Sequence, residues 1–198
     1  DLASGSGSFL LSAVRRLVAT NNAEKNGNLR EVKNAFETNI YGSEVMKFPC
    51  LVSKLNCLLQ FSKVIKKIRD KGELIKLPRV FHNNSFSLIT KESLKAVNPG
   101  KLNAITNFNA PNIPKSLEDE KMGIFRHFIE KSDFDFVVGN PPYVSNDTNP
   151  TLFQEARKRF TFCEATYANK MYYFYLFVIL GIAKLKPGGK LAYVTTKY

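Results

Sequence analysis

Phe134 to Tyr143, FDFVVGNPPY, end an apolar run in Gly139, Asn140, two prolines and an aromatic ring. Neither Pro141 nor Pro142 has a backbone N–H, so a strand ladder cannot continue past Asn140, and Pro141 pushes Asn140 away from helical geometry. The Asn140 carboxamide and the Pro141 carbonyl can then be held above the strand end as two hydrogen-bond acceptors, with Tyr143 adding an aromatic face. Two fixed acceptors and one ring suit a planar substrate carrying an NH2 group. An exocyclic amine is a poor nucleophile because its lone pair is delocalised into the ring, and accepting both N–H hydrogens helps localise that pair toward an electrophile. No covalent nucleophile is needed where the electrophile is already activated, as a sulfonium methyl is, because positioning and preorganised dipoles supply the acceleration. Stacking on Tyr143 would contribute roughly 1–3 kcal/mol, and a duplex base could reach such a pocket only by flipping out. Taken alone, the same turn is a Pro-Pro strand terminator with a surface tyrosine.

A second constellation opens the chain, DLASGSGSFL, with Asp1, Gly5 and Gly7 just before a helical apolar stripe. Glycines at such a turn let backbone N–H groups approach a ligand at the helix N-terminus. An isolated GxG is as often a plain tight turn. Glu44 then stands at the end of a short strand, where an α/β nucleotide fold places an acid that accepts both ribose hydroxyls. A solvated strand-end carboxylate is the competing reading.

Metal and disulfide chemistry find little support. Cys50, Cys57 and Cys163 are scattered without CxxC spacing, and His82 and His127 are the only histidines. Pro49-Cys50 has the composition of a cytosine-C5 nucleophile but falls at a helix start near the second strand, so Cys50 is expected to be a small apolar packing residue.

The elements that position these residues alternate. A helix starts at Ser8, with Phe9, Leu10, Ala13, Val14, Leu17 and Val18 at helical spacing. Asn39 to Val45 forms a short strand. Pro49 lies in the first turn of a helix whose expected apolar face is Leu51, Val52, Leu55, Leu58 and Leu59. Arg79 to Phe86 is a third short element, and Phe134 to Val138 is a strand apolar enough to be buried on both faces, as in a parallel sheet. A long helix from about Asn169 to Lys184, a KPGG turn and the strand KLAYVTT follow. Such alternation predicts an α/β fold with a mostly parallel sheet and ligands at the carboxyl ends of its strands. Between Thr90 and Ser132 the rhythm breaks, which predicts an insertion carrying a capped helix from Ser116.

With 198 residues, 44% hydrophobic and 12% aromatic, the chain can bury an ordinary core as a single domain. Its 29 Lys and Arg against 17 Asp and Glu leave a net charge of +12, gathered in KVIKKIRDK (Lys63 to Lys71) and RKR (Arg157 to Arg159), which favours a polyanionic partner. The most apolar stretch, Met171 to Ala183, is shorter than the ~20 residues of a membrane span. No membrane partner is expected, and a reducing cytoplasm is the default location.

In this order, DLASGSGSFLL, IYGSEV, NNSF and FDFVVGNPPY resemble S-adenosylmethionine-dependent methyltransferases, and most closely the DNA N6-adenine methyltransferases of type I and type IIG restriction-modification systems. The resemblance implies a Rossmann-like class I methyltransferase fold over residues 1–198, interrupted by the insertion at about 90–132. Asp1, Ala3, Ser4, Gly5, Gly7 and Phe9 would form the cofactor loop, Glu44 would hold the ribose, and Asn84 with Ser85 would lie beside the cofactor's adenine. Asn140, Pro141 and Tyr143 would hold a target adenine from double-stranded DNA for direct methyl transfer from S-adenosylmethionine. The family usually has Pro at the place of Leu2, Cys at Ser4, Asp at Asn84, and Asp/Asn-Pro at Met46-Lys47. It also has a strand before the residue matching Asp1 and further strands beyond Tyr198. The chain is therefore expected to be a catalytic-domain fragment truncated at both ends, inactive by itself, with any specificity subunit or nuclease outside it.

Two rivals share these residues. A protein methyltransferase acting on a glutamine amide grips a planar NH2 in the same way. A non-catalytic nucleic-acid-binding module would keep the fold without cofactor binding, and its DNA affinity would fall steeply with salt.

Overall fold

A computed structural model describes residues 1–21, 28–88 and 133–195. The chain divides into two compact units, one of Asp1 with Ala3–Asn83 and one of Leu2 with the residues from Asn84 onward. The expected insertion at about 90–132, its helix from Ser116 and His127 all lie outside the described residues.

In the first unit, helix α1 (Ser8–Thr20) buries Leu10, Val14 and Val18, a spacing of four that keeps one face inward. Helix α2 (Leu29–Thr38) starts where the Asn28 side chain accepts a hydrogen bond from the Glu31 N–H at 3.2 Å, and it buries Val32 and Phe36. Strand β1 (Tyr41–Glu44) is followed by α3 (Lys47–Gln60), α4 (Ser62–Asp70) and strand β2 (Arg79–His82). The two strands pair in parallel, Tyr41 opposite Arg79 and Glu44 opposite His82. Phe36 and Phe61 stack at the centre of the core with ring centroids 4.2 Å apart. Gly42 lets α1 close on β1, since a Cβ there would lie 2.7 Å from Leu10 Cδ1.

Helix α3 corrects one expectation. It buries Cys50, Ser53 and Cys57, while Leu51, Leu55 and Leu59 are 53%, 50% and 70% exposed. The face that periodicity predicts is therefore turned outward, and the side with small residues packs instead. Contact distance decides this, because a Cβ at Gly7 would already come within 2.4 Å of Ser53 Oγ. Serine and cysteine fit that gap and leucine does not.

In the second unit, a 3₁₀ turn at Ser85–Leu88 precedes β3 (Phe134–Gly139), α5 (Pro150–Arg159), α6 (Thr161–Thr166), α7 (Tyr173–Lys184) and β4 (Leu185–Tyr193). Strands β3 and β4 pair in parallel, from Phe136 opposite Lys190 to Gly139 opposite Tyr193. The KPGG residues form an irregularity within β4, because Phe134 pairs with Leu185 whereas Phe136 pairs with Lys190. Helix α7 begins at Tyr173 rather than near Asn169, since Lys170 is left-handed at φ 61° and no helix passes through such a residue. β3 is not buried on both faces. Val137 and Gly139 are buried, but Asp135 and Phe136 are exposed.

The described residues thus form mixed α/β structure with parallel strand pairs, and none of their helices is long and apolar enough to cross a membrane.

Candidate functional site

The glycine turn is built on the edge of β1. The Ser4 N–H donates to the Ser43 carbonyl at 3.0 Å and the Ser43 N–H to the Asp1 carbonyl at 2.9 Å, so the opening residues run beside the strand. The Gly7 N–H closes the turn on the Ser4 carbonyl at 2.7 Å, with Gly5 and Gly7 left-handed at φ 51° and 91°. Both conformations are open to glycine at little cost. Gly7 is also the residue before α1, so the cap position offers no side chain to the first N–H groups of that helix.

The Glu44 carboxylate ties this turn to the strand end. One oxygen accepts from the Gly5 N–H at 2.8 Å and the other from the Met46 N–H at 2.9 Å. Asn56 of α3 reaches over to donate from Nδ2 to the Ser6 carbonyl at 2.9 Å. Asp1 folds one carboxylate oxygen onto the Ala3 N–H at 3.0 Å, while its Oδ2 and the Ser4 Oγ are buried with no hydrogen-bond partner among the described residues. Ala3 is half-buried nearby, and Phe9 is half-buried on the first turn of α1. Cys50 is buried, and burial pushes its thiol above the usual range, with Lys54 lowering it in part and Glu44 raising it again, an environment that disfavours the thiolate.

In the second unit the turn after β3 is clamped from two sides. The Val194 N–H donates to the Gly139 carbonyl at 3.0 Å, continuing the pairing with β4 by one residue. Asn140 is exposed, Pro141 is buried, and the half-buried Tyr143 places its hydroxyl against both Asn140 Oδ1 and the Val194 carbonyl oxygen, the latter at 2.7 Å. Downstream, the Tyr173 N–H donates to the Val144 carbonyl at 2.7 Å and the Asn146 N–H to the Met171 carbonyl at 3.0 Å, tying the loop to the entry of α7. The Tyr143 ring meets Phe174 edge-on at 6.4 Å.

Asn84 and Ser85 sit at the 3₁₀ turn of this unit. Asn84 Oδ1 accepts from the Phe86 N–H at 3.0 Å, and its backbone carbonyl accepts from the Ser87 N–H at 3.0 Å. Ser85 Oγ donates to the Leu2 carbonyl. Phe86 anchors the turn, with its ring 5.1 Å from Phe177 and 5.3 Å from Tyr173. Of the basic run at the end of α5, Arg157 is committed to Glu164 at 2.5 and 3.0 Å and lies 4.1 Å over the Tyr167 ring.

The sequence-predicted residues therefore fall into clusters, each within its own unit. Asp1, Ala3, Ser4, Gly5, Gly7 and Glu44 meet at the glycine turn. Asn140, Pro141 and Tyr143 share the turn after β3, and Asn84 with Ser85 make the 3₁₀ turn. Sequence reasoning missed Ser53, Asn56 and Val194. Ser53 and Asn56 are small or medium polar residues three apart within α3, and that spacing was a usable signal. Val194 acts through its backbone and left none.

Residues 38–198 match the family model for the Eco57I restriction-modification methylase. The match includes Glu44, Asn84, Ser85 and the Asn140–Tyr143 turn, and it begins after the glycine turn. No curated protein matches the chain.

Proposed function

The chain belongs to the Eco57I restriction-modification methylase family, and from that premise we propose that it transfers a methyl group from S-adenosylmethionine to N6 of an adenine flipped out of double-stranded DNA. The reading takes the two units as parts of a Rossmann-like class I methyltransferase fold. The observation that carries it is the turn after β3, where the Tyr143 hydroxyl lies against both Asn140 Oδ1 and the Val194 carbonyl just past β4, so that the turn is pinned rather than left as a loose strand end.

The glycine turn fits the cofactor. Buried Asp1 Oδ2 and Ser4 Oγ have no partner among the described residues, an arrangement that costs about 1–3 kcal/mol per group unless a ligand supplies one. Each Glu44 oxygen uses one lone pair on a backbone N–H and keeps another for a ribose hydroxyl. The uncapped N-terminus of α1 and the left-handed Gly5 and Gly7 allow close backbone approach. Ala3 and Phe9 would line the loop, and Asn84 with Ser85 would lie beside the cofactor's adenine.

S-adenosylmethionine, when bound, supplies a methyl group already activated on sulfur. The chain's own task is to present the amine. Asn140 Oδ1 and the Pro141 carbonyl would accept the two N–H hydrogens of the target, favouring a localised lone pair and stabilising the positive charge that develops on nitrogen. Tyr143 would stack on the base and hold it out of the duplex. A specificity subunit or nuclease acting with this chain is part of the same proposal, as is the DNA partner, which the +12 charge favours.

The test is methyl transfer by the intact protein from labelled S-adenosylmethionine to duplex DNA, followed by digestion to nucleosides and mass analysis. N6-methyladenine is expected, and Asn140→Ala should lower its formation by roughly 100-fold or more. Cofactor binding without any methylated nucleoside would overturn the DNA reading in favour of a protein amide substrate.

A further inference from the structure

The Tyr143 hydroxyl carries one proton and faces two oxygens, Asn140 Oδ1 and the Val194 carbonyl at 2.7 Å. It cannot donate to both. The Val194 carbonyl cannot turn away, because the same residue donates its N–H to the Gly139 carbonyl at 3.0 Å and is fixed at the end of the β3–β4 pairing. The Asn140 carboxamide can turn: half a rotation exchanges Oδ1 for Nδ2 with almost no change of shape.

We infer that Tyr143 is a positioning residue for Asn140, in a relay where the phenol donates to the Val194 carbonyl, Asn140 Nδ2 donates to the phenol oxygen, and Asn140 Oδ1 is turned outward as a pure acceptor. This arrangement gives every group in the trio a partner, whereas the alternative sets two oxygens against each other. Its consequence is selectivity. The outward group takes a hydrogen-bond donor, so the turn accepts an NH2-bearing planar substrate and rejects one that presents a carbonyl at the same place, leaving two acceptors facing each other. The inference rests on the proposal that Asn140 receives the target amine. It adds that the orientation is imposed by a main-chain carbonyl 51 residues further along the chain from Tyr143.

Tyr143→Phe keeps the ring and removes the relay. In the intact protein labelled with 15N-asparagine, the Asn140 side-chain NH2, identified by its loss in Asn140→Asp, is expected to show nuclear Overhauser contacts to the Tyr143 ring and a downfield proton that moves upfield in Tyr143→Phe. Absence of those contacts in the unsubstituted protein overturns the inference without any variant having to fold. In methyl transfer, Tyr143→Phe is expected to lower kcat about tenfold with KM within roughly twofold, and to add nothing in an Asn140→Ala background. A kcat within about twofold of the parent, or an equal loss in both backgrounds, also overturns it. If the parent protein methylates no adenine while the NH2 signature is present, the substrate assignment fails and the relay stands.

Discussion

Gly7 meets two demands at once. Its φ of 91° is closed to most side chains, and a Cβ there would lie 2.4 Å from Ser53 Oγ and 3.0 Å from the α3 backbone at Ser53 Cα. Backbone cannot give way as a flexible side chain can. Gly7→Ala is therefore expected to lower the unfolding free energy by about 2–4 kcal/mol, summing left-handed strain with overpacking. A urea titration reads it as a fall in midpoint at unchanged slope, and an unchanged midpoint would refute the close approach of α1 to α3. The glycine pair itself was legible in the sequence, because a left-handed turn before a helix has few other residue choices. The serine beneath it was not, because nothing near Gly7 in the chain announces which residue of α3 it touches.

Among the elements, α3 separates apolar pattern from burial. Leu55 is 50% exposed and Cys57 fully buried, although a count of apolar positions ranks them the other way. Burial also pushes the Cys57 thiol from 9.0 to about 11. Leu55→Gln is expected to change stability by no more than about 0.5 kcal/mol, as exposed substitutions do. Cys57→Leu should cost about 1–3 kcal/mol through overpacking. Paired chemical denaturation of the two variants checks the ranking, and a larger loss from Leu55→Gln would restore the face that periodicity predicts. β3 makes the same point, since an apolar run that promised burial on both faces leaves Phe136 66% exposed.

For the whole molecule, pH dependence follows from a few buried groups. Lys184 is fully buried at the end of α7, and burial pulls its ammonium from 10.5 down to about 7. Between those values the unfolded chain holds a proton that the folded chain lacks, so stability rises with pH there, and below about 7 the penalty is present in full. The cysteines act in the opposite sense. Cys57 and Cys163 are both held above 9.0, so above that pH their thiols ionise in the unfolded chain first and stability falls. The melting temperature is expected to climb from pH 6.5 to about 8.5 and to turn down beyond about 9, with the climb flattened in Lys184→Met. A profile already falling between pH 7 and 8.5 in the parent protein would refute this origin.

Local chemistry reached the sequence reader intact. Two prolines end a strand whatever lies around them, two glycines open a left-handed turn, and alternating helical and extended patterns imply parallel strand pairs, because each effect acts within a few residues of backbone. Pairings across long stretches of chain did not. Glu44 meets the Gly5 N–H over 39 residues, Asn56 meets Ser6 over 50 and Tyr143 meets Val194 over 51. Those partners, like the buried face of α3, were chosen by how closely elements could approach and by which donors and acceptors were then left to be matched. That selection belongs to three-dimensional packing, because side-chain volume and hydrogen-bond capacity act on neighbours in space and carry no record of distance along the chain.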